Sequence, residues 1–448
     1  MAKRMRDSTN VLVVSHGHPA HSIGGAEVAA YNLHKGLAAL PEAESRFLAR
    51  VGHPTRRHDA TALMRLRGDA REILFHADDY DHFLVSNRNT DEIRRDFVRL
   101  LRDVGPDVVH FHHFIGLGLE CLYAVREALP EATIVVTFHE YLGICHHHGQ
   151  MVKTAGMKLC NRATPNDCNG CFPEIAPARF LARERFIRGM LELADHYVSP
   201  SRFLMDRYVA WGLDPAKFSV IENGLDIADP APLRALPPGG RRSRFAFFGQ
   251  LTPYKGADIL VDAVSRIPDA VWGDDSVLLI YGGNLERQPQ VYQDKFARLV
   301  EAAGRRVRFC GPFQNTDLPR LMRSIDWVCV PSVWWENSPV VIQEAFFHGR
   351  PLVASDIGGT AEKVTDEVDG ITFRAGSPED LGDAVTRCLT EPGLWDRLRA
   401  GITPPLDHVG CARAHLALYG RLTESRTGPP PSVPVPRAPR RSRALQPA

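Results

Sequence analysis

No run of about 18 apolar residues occurs in the 448 residues of this chain, so a membrane-spanning helix is not expected. An excess of one charge is also missing. The 54 Lys and Arg balance 53 Asp and Glu, for a formal net charge of +1, and nothing global points to nucleic acid. The N-terminus has little apolar length. Met1 to Ser8 leads into only Val11-Leu12-Val13-Val14 before the polar Ser15-His16-Gly17-His18. That is too short and too polar for a secretory leader, and the cytoplasm is the expected compartment. Cysteine is sparse at nine residues. In a reducing compartment such thiols are free, metal-bound or buried, not disulfide-paired. What remains is ordinary: 44% hydrophobic and 24% charged residues, the balance of a soluble globular protein. The length exceeds one typical core and predicts two domains.

The apolar runs are short and alternate with helical periodicity. Val11 to Val14 reads as a buried parallel strand. A glycine-bearing loop with Gly24-Gly25-Ala26-Glu27 follows, then a helix from Val28 to Leu40. The loop is not GxGxxG; it reads either as a plain turn or as a phosphate or sugar site at a helix start. Asp107-Val108-Val109-His110-Phe111 and Thr133-Ile134-Val135-Val136-Thr137-Phe138 are further strands. They end in His112-His113 and His139-Glu140, at the carboxyl edge where open α/β sheets bind ligands. Residues 229–242, rich in Pro and Gly, break the pattern as a linker. Beyond them strand–loop–helix units resume at Phe245, Val277, Val307, Trp327 and Leu352. The fold class is α/β, with two doubly wound parallel sheets. Residues 425–448 are rich in Pro and Arg and read as a disordered, solubilising tail.

Between the halves of the first domain lies a stretch of weak periodicity, residues 145–171, with Cys145, Cys160, Cys168 and Cys171. Four thiolates suit structural zinc or an iron–sulfur cluster. Unligated thiols and a disulfide are the other readings. Four cysteines would leave no open position for catalysis.

Glu336 and Glu344 stand eight residues apart in Trp334-Trp335-Glu336-Asn337-Ser338-Pro339-Val340-Val341-Ile342-Gln343-Glu344. Ser338 suits an N-cap and Pro339 the first helical position. Glu344 then falls inside the helix, four residues after Val340, on a shared face. Anionic groups would meet the helix amides and hydroxyls the carboxylates. Spacing alone leaves open a pair of solvated surface charges.

Taken together, these pieces resemble the retaining glycosyltransferases of the GT-B fold, in the large family with an E-x7-E motif (family 4). The resemblance runs to about Thr423. It is carried by Gly24-Gly25-Ala26-Glu27, by Asp107 to His112, and by His139 after its strand. Ser199-Pro200-Ser201, Val220-Ile221-Glu222-Asn223-Gly224, Phe248 to Gly256 and Ser355-Asp356-Ile357-Gly358-Gly359 continue it in order. The resemblance implies an acceptor-side domain at 8–228, a nucleotide-sugar domain at 243–405 and a helix at 406–424 returning to the first domain. It implies His139, Glu336 and Lys255 as catalytic groups. Donor contacts would come from Gly25, Gln250, Lys255, Asn337, Ser338, Pro339, Glu344, Gly358 and Gly359, and acceptor-side contacts from Gly24, His112 and Asn223. The partners implied are a nucleoside-diphosphate sugar and a glycan or lipid-linked acceptor in bacterial surface polysaccharide synthesis, with peripheral membrane contact and no nucleic acid. No cofactor is required for catalysis.

Three features depart from the pattern. Gln250 stands where the family usually has arginine, which leaves Lys255 with more of the diphosphate charge. Asn337-Ser338-Pro339 replaces the commoner Gly-Phe-Gly. The cysteine insert resembles that of a subgroup. Alternative activities on the same fold are a nucleotide-sugar epimerase or a sugar phosphorylase. A non-catalytic scaffold with a metal-binding cysteine loop is another.

Overall fold

Val11 to Val14 are fully buried in strand β1 (Thr9–Ser15), as an apolar run covered on both faces requires. The computed structural model describes residues 8–21, 24–52, 61–66, 69–88, 90–227 and 229–427. The tail expected at 425–448 lies outside them beyond residue 427. β1 is followed by β2 (Ala43–Val51), β3 (Leu63–Arg65) and β4 (Glu72–His76), then a small hairpin of β5 (Tyr80–Asp81) and β6 (Ser86–Asn87). Strands β7 (Val108–Phe111), β8 (Thr133–Thr137), β9 (His196–Ser199) and β10 (Phe218–Val220) complete the first sheet. Its order is β10-β9-β8-β7-β1-β2-β4-β3, and only β3 runs antiparallel. The second sheet holds β11 (Arg244–Phe248), β12 (Val277–Tyr281), β13 (Val307–Gly311), β14 (Trp327–Val330), β15 (Leu352–Ser355) and β16 (Gly370–Phe373). Its order is β13-β12-β11-β14-β15-β16, parallel throughout.

Each sheet reverses its winding once, between β1 and β7 in the first and between β11 and β14 in the second. At such a point the two flanking loops diverge to opposite faces and leave a crevice at the carboxyl edge. The loops there begin at His16 and His112 in the first sheet, and at Gly249 and Pro331 in the second.

The chain crosses between the domains twice, between residues 225 and 231 and between 401 and 408. From Ala231 onward the linker is fastened to the second sheet. Arg350 is buried and donates to the carbonyls of Ala231 (3.0 Å), Pro232 (2.7 Å) and Met322 (2.6 Å). Arg234 and Arg242 both reach the buried Asp326. The helix His408–Thr427 packs on the helix Gly25–Ala38 of the first domain. The contact is close because Gly36 has no side chain: a methyl group there would lie 2.2 Å from the His408 carbonyl oxygen. Tyr419 of the returning helix bonds His110 in β7 at 2.6 Å.

Candidate active site

The β11 loop and the β14 loop bring Lys255 and Glu336 together, Nζ to Oε1 at 2.6 Å. Glu336 is 5% exposed. Ser332 also donates to its Oε1 at 2.7 Å. Burial alone would raise this carboxyl, but the Lys255 charge and the hydrogen bonds of Lys255 and Ser332 hold it below its ordinary value. The backbone of Glu336 is fixed from the next loop. Its carbonyl accepts the Gly359 N–H at 2.7 Å. Gly359 is there for space: a methyl group on it would stand 1.5 Å from the Asn337 carbonyl oxygen. Gly358 adopts φ +56°, a conformation natural to glycine, and also lies against the Glu336 backbone.

The helix after Glu336 runs Val340–Phe347. It starts one residue later than the sequence predicts, with Pro339 in the cap position and no side-chain cap. Ser338 has a stronger claim elsewhere, since its hydroxyl donates to Glu222 of the first domain at 2.6 Å. Gly349, at φ +66°, follows the end of the helix. Glu344 is partly buried, one turn beyond Val340, and burial pushes its carboxyl up to about 7. Gln250 is exposed in the β11 loop.

On the opposite wall, His139 is held by His112, Nδ1 to Nε2 at 2.9 Å. His112 lies 3% exposed behind it. Burial, with the nearby His113 and His16, lowers His139 to about 3, so both rings are neutral at pH 7. His113 accepts two backbone N–H groups at Nδ1, from Phe114 and Ile115 (both 3.0 Å). Its proton is therefore on Nε2, facing Glu140 Oε1 at 3.2 Å. Burial raises Glu140 to about 8. His16 pairs with Glu27 at 3.3 Å, and its ring lies tilted against His113 with centroids 4.2 Å apart.

These two walls enclose a cleft of about 300 Å3. His16, Gly25, Glu27, His113, His139, Glu140, Tyr141 and Asn223 line one side; Trp334 to Ser338 and Val340 line the other. Of the residues singled out from the sequence, His139, Gly25, Asn223, Glu336, Asn337 and Ser338 meet here. Lys255 joins through its ion pair, and Gly358 and Gly359 through the Glu336 backbone. Gly24 is the cap residue of the helix bearing Gly25. His112 supports His139 from behind. His16, directly after β1, is a lining residue the sequence reading missed; His113 and Glu140, at the ends of their strands, and Glu27, in the helix Gly25–Ala38, also line the cleft. The Asn337 side chain turns to the first domain, to Ser201 Oγ (2.7 Å) and the His139 carbonyl (3.1 Å).

Cys145, Cys160, Cys168 and Cys171 are all free thiols. Burial raises Cys145 and Cys160, and lifts Cys168 to about 12. Cys160 Sγ lies 3.3 Å from the Arg162 carbonyl. Among the described residues no group of three or more His, Cys, Asp or Glu is set to hold a metal ion. Among the described residues, no helix is long and apolar enough to cross a membrane.

Comparison with known proteins bears on both walls. Residues 23–229 match the family described as Glycosyltransferase Family 4, and residues 242–391 match Glycosyl transferases group 1. D-inositol 3-phosphate glycosyltransferase of Salinispora tropica is 28% identical over 320 residues, 66% of this chain and 59% of that protein. The protein of the same name from Kribbella flavida is 27% identical over 334 residues, 71% of this chain and 72% of its own length. Among solved structures, Anabaena Alr3699/HepE in complex with UDP aligns over 92% of this chain and 100% of its own, with TM-score 0.62 and 17% identity. Sucrose-phosphate synthase from Thermosynechococcus elongatus aligns over 93% of this chain and 100% of its own, with TM-score 0.67 and 18% identity.

Proposed function

With a family 4 domain in its first half and a group 1 domain in its second, the chain belongs to the GT-B glycosyltransferases, and we propose that it moves a sugar from a nucleoside-diphosphate sugar to a hydroxylated acceptor with retention at the anomeric carbon. The observation that carries this reading is the Lys255–Glu336 pair at 2.6 Å, at the switch point of the second sheet and across the cleft from His139.

Lys255 supplies the cation for the departing diphosphate. In the free protein that charge is shared with Glu336, so the donor binds by bridging: phosphate oxygens on Nζ, sugar hydroxyls on the carboxylate. Glu344, a turn inside the helix, accepts the ribose hydroxyls. Neutral His139 offers its ring to the sugar without adding charge. The acceptor attacks from the side on which diphosphate leaves, and the leaving oxygen takes the acceptor proton. The N-terminal wall, with Glu27, Glu140 and neutral histidines, suits the hydroxyls of an uncharged glycan, free or lipid-linked, of the kind used in surface polysaccharide synthesis. The relatives named for D-inositol 3-phosphate make a phosphorylated polyol the second acceptor to try.

Calorimetry with UDP, ADP, GDP and dTDP tests the donor half. One of the four should bind, and Glu344→Ala should weaken it by ~1–3 kcal/mol, the scale of a lost charge-assisted hydrogen bond. Unchanged affinity in that variant removes Glu344 from the site.

A further inference from the structure

The stretch that carries Glu336 uses three side chains to reach across the cleft. Trp335 Nε1–H donates to the carbonyl of Cys160, in the cysteine insert, at 3.2 Å. Its ring packs on Phe203 with centroids 5.3 Å apart. The Arg207 guanidinium lies 4.6 Å over the same ring and donates to the Asn161 carbonyl at 3.0 Å. Asn337 is buried and makes two bonds. Ser201 Oγ receives the Leu204 N–H and passes its own hydrogen to Asn337 Oδ1 at 2.7 Å. That leaves Nδ2 to donate to the His139 carbonyl at 3.1 Å, which fixes the orientation of the amide. Ser338 donates to Glu222, whose other oxygen pairs with Lys363 of the second domain. Glu362, next to Lys363, receives the N–H groups of Arg202 and Phe203, both at 2.8 Å.

We propose that Asn337 and Ser338 are positioning residues that form a latch, so that closing the two domains and setting Glu336 opposite His139 are one event. The inference rests on the glycosyl-transfer reading for its consequence, though not for its geometry. Asn337 is bonded through its main chain to Glu336 and through its side chain to the main chain of His139. One residue thus ties the group expected at the sugar to the group expected on the other side. A buried amide left with one bond missing costs more than the bond itself gives. The latch therefore closes fully or opens to water, with little in between. It also explains the Asn-Ser-Pro sequence. A Gly-Phe-Gly segment has no side-chain donor or acceptor for Ser201, His139 or Glu222, whereas Asn337 and Ser338 supply both.

The test reads the free, full-length protein first. In Asn337→Ala/Ser338→Ala, backbone amides of residues 334–338 should exchange about tenfold faster than in the wild type, the scale for losing such bonds. Solution scattering should show a larger radius of gyration. Ser338→Thr keeps the hydroxyl and should restore wild-type exchange in the single-site comparison with Ser338→Ala. In the transfer assay the double variant should lose about tenfold in kcat with nucleotide affinity unchanged. Equal exchange and scattering in wild type and double variant overturn the latch, as does a Ser338→Thr variant that behaves like Ser338→Ala. A fall in nucleotide affinity with kcat kept would make the two residues donor ligands instead. Because exchange and scattering need no substrate, a protein that transfers no sugar can still show the latch, and the two readings fail separately.

Discussion

Lys255 and Glu336 hold each other at 2.6 Å, from loops that leave the second sheet on opposite sides of its switch point. Lys255 is the reason Glu336 can be charged there. The lysine keeps a carboxylate ionised at 5% exposure, and the carboxylate keeps the lysine aimed into the cleft until phosphate arrives.

Replacing Lys255 by Ala should abolish most transfer, by about a hundredfold or more, as for other groups that meet developing negative charge. It should also destabilise the fold by ~1–3 kcal/mol at neutral pH, because a buried carboxylate loses its partner. The sign follows from the depressed Glu336 carboxyl. Its contribution is present above the unfolded value of 4.5 and is lost as pH falls through the lower folded value. Melting curves of wild type and variant should therefore converge in acid.

Glu344 behaves in the opposite sense. Burial raises it to about 7, and ribose hydroxyls bond a carboxylate more strongly than a neutral acid. Nucleotide affinity should rise as pH is taken through about 7, and the rise should vanish in Glu344→Gln. In the free protein the raised carboxyl costs stability once ionised. Glu344→Gln should therefore melt higher than wild type above pH 7, and the gain should disappear below the unfolded value of 4.5. Melting scans at both ends check this second sign.

Much of this site was legible because it sits at strand ends. Short apolar runs followed by Gly, His or Ser loops mark the carboxyl edges of parallel sheets, and His139, Lys255 and Glu336 all fall just beyond such runs. Strand order is a different matter. That β1 neighbours β7, and so brings His16 beside His113, depends on topology and not on local pattern. The cap at Ser338 shows the same limit. Its propensity favours the helix, but Glu222 from another domain takes the hydroxyl, and the helix begins at Val340. The resemblance puts His112 on the acceptor side; the structure shows it buried, with its Nδ1 2.9 Å from His139. Arg350, which follows a glycine and carries no local signal of burial, is buried and pins the start of the linker to the second domain.

Gly359→Ala tests the support under Glu336. The added methyl would stand 1.5 Å from the Asn337 carbonyl oxygen, a backbone clash that no side-chain rotation relieves. A loss of ~1–3 kcal/mol in stability is expected, together with a fall in kcat larger than any change in nucleotide affinity. Denaturant melting and calorimetry measure the two effects.

His112→Phe keeps an aromatic ring but removes the Nδ1 contact to His139. With His139 no longer held, kcat should drop between about tenfold and about a hundredfold, the usual result of small misplacements in an active site. Nucleotide binding should not change. A variant as active as the wild type would mean that His139 is oriented by packing alone.

The most direct measurement of the central claim is release of nucleoside diphosphate from a panel of nucleotide sugars, with and without neutral glycan acceptors, by wild type and Lys255→Ala. The expected result is release by the wild type only when donor and acceptor are both present, with the product sugar in the donor's anomeric configuration by NMR, and release slower by about a hundredfold or more in the variant. Release by the wild type that ignores the acceptor, or that keeps its wild-type rate in Lys255→Ala, would contradict it.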